Sequence, residues 1–251
     1  MPVVITFHDD LRVFASFSRQ GAKRGYPLLR RASVKDVIEA VGPPHTEVGE
    51  ILLDGVPVGF DAVVEAGFEL NVFPIAAPWD VAKATLLRPN PLPSLAFLVD
   101  ENVHRLAELL RMIGMDAAGC RGMSDAAIAA ESARSGRVLL SRDHRLLRRS
   151  RVVFGRLVRA HRPWDQLKEI VDLFGLASDI KAFSRCIHCN IRLEPRAKAD
   201  VADRLEPLTS RYYQTFHECP ACRRIYWAGS HHQRMVANLK AHGISDESRS
   251  S

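Results

Sequence analysis

The chain has 251 residues, 47% of them hydrophobic and 25% charged, close to the average of a globular protein. That balance excludes a disordered or fibrous chain, and no apolar run approaches the roughly 18–20 residues that span a bilayer. The formal net charge is +6, and it is clustered: between Arg142 and Arg162 stand eight arginines and two histidines, with Asp143 as the one acid. Such a cluster favours phosphate-bearing partners. The opening stretch MPVVITFHDD lacks a basic segment followed by an apolar one, so a cytoplasmic protein is expected.

In chain order, residues 3–7 and 13–17 are the first two predicted strands. Val34, Val37, Ile38 and Val41 then recur at helical spacing, with Ser33 as N-cap and Gly42-Pro43 as the stop. Residues 50–53, the Asp54-Gly55 turn and residues 56–58 give a hairpin signal, and residues 68–73 a last strand. Strands wrapped about one helix in this order predict a β-grasp over residues 1–78, which resembles the ubiquitin-like and sulfur-carrier family. Those carriers end in a flexible Gly-Gly tail; here Asn71-Val72-Phe73-Pro74 runs on into further sequence, so a carrier role is not expected.

The proline-dense stretch 79–94, with Pro89, Pro91 and Pro93, cannot supply continuous ladder or helix donors and reads as an ordered spacer. From Leu95 the pattern becomes α/β. Phe97, Leu98 and Val99 make a buried strand, and Leu106, Leu109, Leu110 and Ile113 form a helical stripe closed by Gly114. Ser124 caps a second helix that Gly136 stops, and Val138, Leu139 and Leu140 form another buried strand. Parallel strands joined by helices are expected.

In such sheets functional groups gather beyond the carboxyl ends of the strands, where Asp100 and Asp143 fall; Asp125 opens the intervening helix. Mg²⁺ and Mn²⁺ prefer hard oxygen ligands, so converging carboxylates suit them. The run FLVDENVHRLAELLRMIGMD followed by SDAAIAAESARSGRVLLSRDHRLL resembles the PIN-like ribonucleases, and more narrowly their Mut-seven carboxy-terminal branch, in which a β-grasp often precedes the nuclease. The resemblance implies that Asp100, Asp125 and Asp143 hold the catalytic metal and that Ser141 orients a carboxylate. It also implies an endonucleolytic cut of RNA leaving a 5′-phosphate and a 3′-hydroxyl. The broader superfamily has a fourth acid, for which Glu101, adjoining the first ligand, is the leading candidate ahead of Glu108 and Glu131. Beside the proposed metal edge, Arg142, Arg145, Arg148 and Arg149 are expected to hold RNA backbone; the last three share one face if the segment after Asp143 is helical.

Cys186-Ile-His-Cys189 and Cys219-Pro-Ala-Cys222 are two C-x-x-C knuckles, the arrangement that gives four thiolates to a tetrahedral Zn²⁺ in a zinc ribbon. Four thiolates leave no open position for water, so a structural zinc is expected there. Cys120 is left over as a small buried hydrophobe. Arg223, Arg224, Tyr226 and Trp227 interleave charge with aromatic rings, a composition suited to single-stranded RNA, and Arg234 extends the basic character; His231 and His232 are candidate phosphate donors.

The reading is therefore an α/β PIN-like parallel-sheet nuclease over 95–182, preceded by an α+β β-grasp domain and followed by a zinc ribbon over 183–235 and a tail over 236–251. Expected cofactors are Mg²⁺ or Mn²⁺ for catalysis and Zn²⁺ for structure; the expected partner is RNA, with tRNA and rRNA as candidates. The β-grasp offers a docking surface for a protein or ribosome, and PIN-like relatives often pair as homodimers. Competing readings are a non-catalytic RNA- or ribosome-binding adaptor and the nuclease toxin of a toxin-antitoxin pair.

Overall fold

The computed structural model describes residues 2–14, 23–28 and 30–244. It divides into two compact units: Met1–Asn102 with Cys120–Val158, and Val103–Gly119 with Arg159–Ser251.

The first unit opens with β1 (Val3–Phe7), a 3₁₀ turn (Asp9–Val13), β2 (Lys23–Tyr26), β3 (Ala32–Ser33) and α1 (Val34–Val41), followed by β4 (Val48–Leu53), β5 (Val56–Pro57), β6 (Val63–Val64) and β7 (Glu69–Pro74). Five strands form one sheet in the order β2-β1-β7-β4-β5, with β1 parallel to β7 and the other pairs antiparallel. This is the expected β-grasp. Helix α1 forms where predicted: the Ser33 hydroxyl accepts the Asp36 N–H at 3.1 Å, and Gly42 caps the end. Its stripe Val34, Val37, Ile38 and Val41 is buried in one cluster with Ile5, Phe7, Leu70 and Val72 of the sheet. At Gly49, where the β4–β7 register shifts, the Pro74 carbonyl occupies the space a Cβ would need.

The predicted strand over 13–17 is corrected at its start. Val13 ends the 3₁₀ turn and is 78% exposed, and Asp9 has φ +46°, a conformation that acidic residues tolerate in turns and that breaks an extended run. Residues 15–17 lie outside the described residues.

Residues 79–94 contain neither helix nor strand, but they are tied down. Arg88 is 3% exposed and donates to the carbonyls of Thr46 (3.0 Å), Val48 (2.9 Å) and Val153 (3.3 Å). Its guanidinium also lies 5.1 Å from the centroid of the Trp79 ring. Burial lowers its pKa to about 10, opposed by the charge of Glu47, so it stays protonated at neutral pH. The spacer thus fastens the β-grasp to the segment that follows.

That segment continues with β8 (Phe97–Val99), then α2 (His104–Met112) and β9 (Ala117–Gly119) in the second unit, and returns to the first with α3 (Asp125–Ser135), β10 (Val138–Ser141), α4 (His144–Leu147) and β11 (Gly155–Leu157). Strand β10 pairs in parallel with both β8 and β11, and all three are completely buried runs, as expected for a parallel sheet covered on both faces. Ser124 and Gly136 bound α3 as predicted, Gly136 in the left-handed conformation.

The remainder of the second unit is α5 (Pro163–Phe174), β12 (Glu194–Arg196), α6 (Pro207–Tyr212), β13 (Phe216–Glu218), β14 (Ile225–Tyr226) and α7 (Ser230–Ala241). Helix α2 packs on α5, burying Leu106 and Leu110 with Leu167 and Ile170, and β12-β13-β14 form an antiparallel sheet. No helix among the described residues is long and apolar enough to cross a membrane.

Arg88→Met should lower the unfolding free energy by about 3–5 kcal/mol in urea titration, because two buried carbonyls and one partly buried carbonyl lose their donor. An unchanged midpoint would show that the spacer does not fasten these segments.

Candidate functional site

Register places the acidic site. Because Leu140 stands beside Val99 in the parallel β8–β10 ladder, Asp100, the residue after β8, meets Ser141, the last residue of β10. The Asp100 N–H donates to the Leu140 carbonyl at 3.0 Å, which holds the backbone at this edge. The buried Ser141 hydroxyl donates to Asp100 Oδ2 at 2.6 Å and accepts the Asp143 N–H at 2.9 Å, so one side chain links both acids. Asp100 Oδ1 accepts the Glu101 N–H at 2.6 Å.

Asn102 completes this network. Its Nδ2 donates to Asp100 Oδ2 at 2.7 Å and to Ser141 Oγ at 3.3 Å, while its Oδ1 accepts the Arg142 N–H at 3.2 Å. Sequence reasoning missed Asn102; the available signal was an amide two residues past the first acid, a side chain able to donate and accept at once.

Asp143 is the N-cap of α4: its Oδ1 accepts the N–H groups of Arg145 (2.7 Å) and Leu146 (3.3 Å). Asp125, at the start of α3, is half exposed and ion-paired to Arg149 at 3.7 Å. Glu101 turns toward the loop before α3, within 3.8 Å of Arg121 and accepting the Gly122 N–H at 3.4 Å. The structure thus links Asp100, Ser141 and Asp143 directly, and holds Asp125 and Glu101 through other partners. Of the further acids, Glu131 pairs with Arg134 on α3 at 2.8 Å.

The basic residues divide. Helix α4 ends at Leu147, so Arg145, Arg148 and Arg149 do not share one helical face. Arg148 donates to the Gly42 carbonyl, and Arg156 is buried against Glu47 at 2.9 Å; both serve the fold of the first unit. Arg142 is half-buried, whereas Arg145, Arg149 and Arg151 are exposed. Cys120, buried next to this edge, donates its thiol to the Val99 carbonyl at 3.2 Å; burial and the charge of Asp100 push its pKa up to about 11, which keeps it unreactive.

In the second unit the two C-x-x-C segments are backbone copies of one another. The Asn190 N–H donates to the Cys186 carbonyl and the Arg223 N–H to the Cys219 carbonyl, both at 2.9 Å, and Asn190 and Arg223 have φ of +64° and +62°. The four sulfurs lie within 4.8 Å of one another, the one group of ligand-type side chains so gathered among the described residues; the three aspartates are not. Cys186 and Cys222 sulfurs are 3.7 Å apart, far beyond a disulfide bond and close to the roughly 3.8 Å edge of a tetrahedron with 2.3 Å Zn–S bonds. The donor set and its spacing therefore fit Zn²⁺.

A family model described as "Mut7-C RNAse domain" matches residues 95–239, and one described as "Mut7-C ubiquitin" matches residues 1–80. The chain belongs to the Mut7-C RNAse family. No curated protein and no solved structure matches it significantly.

The Mut7-C match runs through both the acidic edge and the cysteine quartet. The first knuckle is clamped to α2 and its neighbours: Arg111 donates to the carbonyls of Ala117 (2.7 Å), Ile187 (2.8 Å) and His188 (3.2 Å), and Asn190 donates to Asp116 at 2.7 Å. Beside the second knuckle, buried Glu218 gathers Arg204, Arg196 and Arg223 within 3.1 Å. Arg234 lies exposed on α7, and the His232 ring packs at a tilt against Phe183, with burial lowering its pKa.

Purified protein should carry about one zinc per chain by elemental analysis, and Cys219→Ser should lose it and become protease-sensitive over residues 183–235. A zinc-free preparation with an equally resistant ribbon would refute the assignment.

Proposed function

We propose that the chain is a divalent-metal-dependent endoribonuclease centred on Asp100 and Asp143, with Asp125 as the third acid, and that the cysteine quartet holds a structural Zn²⁺. The observation that carries this reading is the Ser141 hydroxyl, which joins the Asp100 carboxylate to the backbone N–H of Asp143 at the carboxyl edge of a parallel sheet, within a chain of a ribonuclease family.

The donor set supports Mg²⁺ or Mn²⁺, because carboxylate oxygens are hard ligands and leave room for waters. Such an ion, when bound, lowers the pKa of a water and neutralises charge on the leaving oxygen. The chain's own groups prepare the acids for that task. Ser141 and Asn102 both donate to Asp100 Oδ2, fixing the carboxylate plane. Asp143 spends Oδ1 on the α4 backbone, which orients the side chain while Oδ2 makes no part of that cap. Arg149, beside Asp125, and exposed Arg145 supply cationic groups for the RNA backbone, contacts that position without reading sequence.

Labelled RNA incubated with Mn²⁺ or Mg²⁺ should be cut by the parent protein, with EDTA, Asp100→Asn or Asp143→Asn each abolishing cleavage. Metal-independent cutting, or full activity in both variants, would sink the assignment. Asn102→Ala should retain the fold and lose about 10–100-fold in kcat/KM, as expected for a residue that orients a metal-binding carboxylate.

A further inference from the structure

A cavity of about 450 Å³ lies within the second unit, between the first knuckle, the β14 segment and the start of α7. Its size falls in the range of small-molecule sites, ~300–1,000 Å³. We propose that this cavity receives an unstacked nucleobase of single-stranded RNA, a recognition site of the same enzyme apart from its acidic residues. The inference rests on the ribonuclease reading for the identity of the polymer.

Three of the rings that line the cavity are each fixed by a different restraint. Tyr226 is held by its hydroxyl, 3.1 Å from the Cys186 sulfur. Trp227 lies against the Gly229 backbone: a Cβ on Gly229 would come within 2.7 Å of the indole nitrogen, so this approach requires glycine. His232 packs against Phe183, with ring centroids 3.9 Å apart and planes tilted by 36°. Rings fixed before the ligand arrives lose little freedom on binding, which suits them to stacking.

Charge selects the occupant. Arg224, His188 and His231 line the cavity and are exposed, and none of the residues lining it is acidic. An aromatic floor beneath a rim that carries the Arg224 guanidinium and two imidazoles complements a base joined to phosphate, whereas a pocket for an apolar protein side chain has no need of the guanidinium. Trp227 itself is 38% exposed, open on one side to a ligand.

The test uses full-length, zinc-loaded Asp143→Asn protein with no Mg²⁺ or Mn²⁺ added, titrated at low salt with a short fluorescein-labelled oligouridylate and with an abasic oligonucleotide of the same length. The base-bearing strand should bind about tenfold or more tightly than the abasic one. Trp227→Ala should erase that preference and Trp227→Phe should largely restore it, with zinc content equal in all forms. Equal binding of the two strands, or an unchanged preference in a zinc-loaded Trp227→Ala protein, would overturn the proposal, and either is the result expected of a pocket built for protein. The binding is read without catalytic metal, so a parent protein that fails to cut RNA yet shows the Trp227-dependent preference overturns the nuclease reading alone.

Discussion

The in-register pairing of β8 with β10 is the constraint on which the acidic site depends. Apart from Ser141 at the end of β10, those strands are apolar, and both are buried throughout, so sliding one past the other would expose Val or Leu or bury a charge. Once Leu98 stands beside Leu139, Asp100 and Ser141 must meet at the edge, and the hydroxyl closes the bridge to Asp143. A hydrophobic ladder thereby sets the position of the polar chemistry at its end.

A second buried polar system joins the β-grasp to this sheet. Glu47, fully buried, accepts from Arg156 and from the Leu157 N–H, while His45 reaches the Val152 carbonyl at 2.8 Å and Glu39 at 2.7 Å. With Arg88 these residues bind the turn before β4 to the strand β11 segment. Buried charges are costly unless paired and hydrogen-bonded, so this interface tolerates one arrangement far better than others. The spacer carries one of its main donors, which makes it part of the structure that it connects.

The ribbon follows a different logic. Its three-stranded sheet is small and its helices few, so the knuckle geometry and the charges around Glu218 replace a large apolar core. Asn190 shows how closely the elements are interlocked: it adopts the left-handed conformation that the knuckle needs, and its side chain holds Asp116 and the Ala117 N–H.

Local periodicity and capping residues made much legible from sequence alone. The stripe of α1, the Ser33 and Ser124 caps, the glycine stops and the apolar runs of β8 and β10 are short-range signals, and the β-grasp and parallel sheet follow from their order. The cysteine spacing likewise announced four ligands. Val13 is β-branched and suits a strand, yet the Asp9-Asp10 turn before it breaks the extended run. What tertiary structure alone decided was partnership. Nothing in a run of arginines tells that Arg148 and Arg156 face inward while Arg145 faces solvent, or that Asn102 bridges Asp100 to Ser141, because each depends on groups about 40 to more than 100 residues away. Sequence thus determined the elements and the chemistry available at their ends; packing, through the high cost of an unpaired buried charge, decided which charges were left for function.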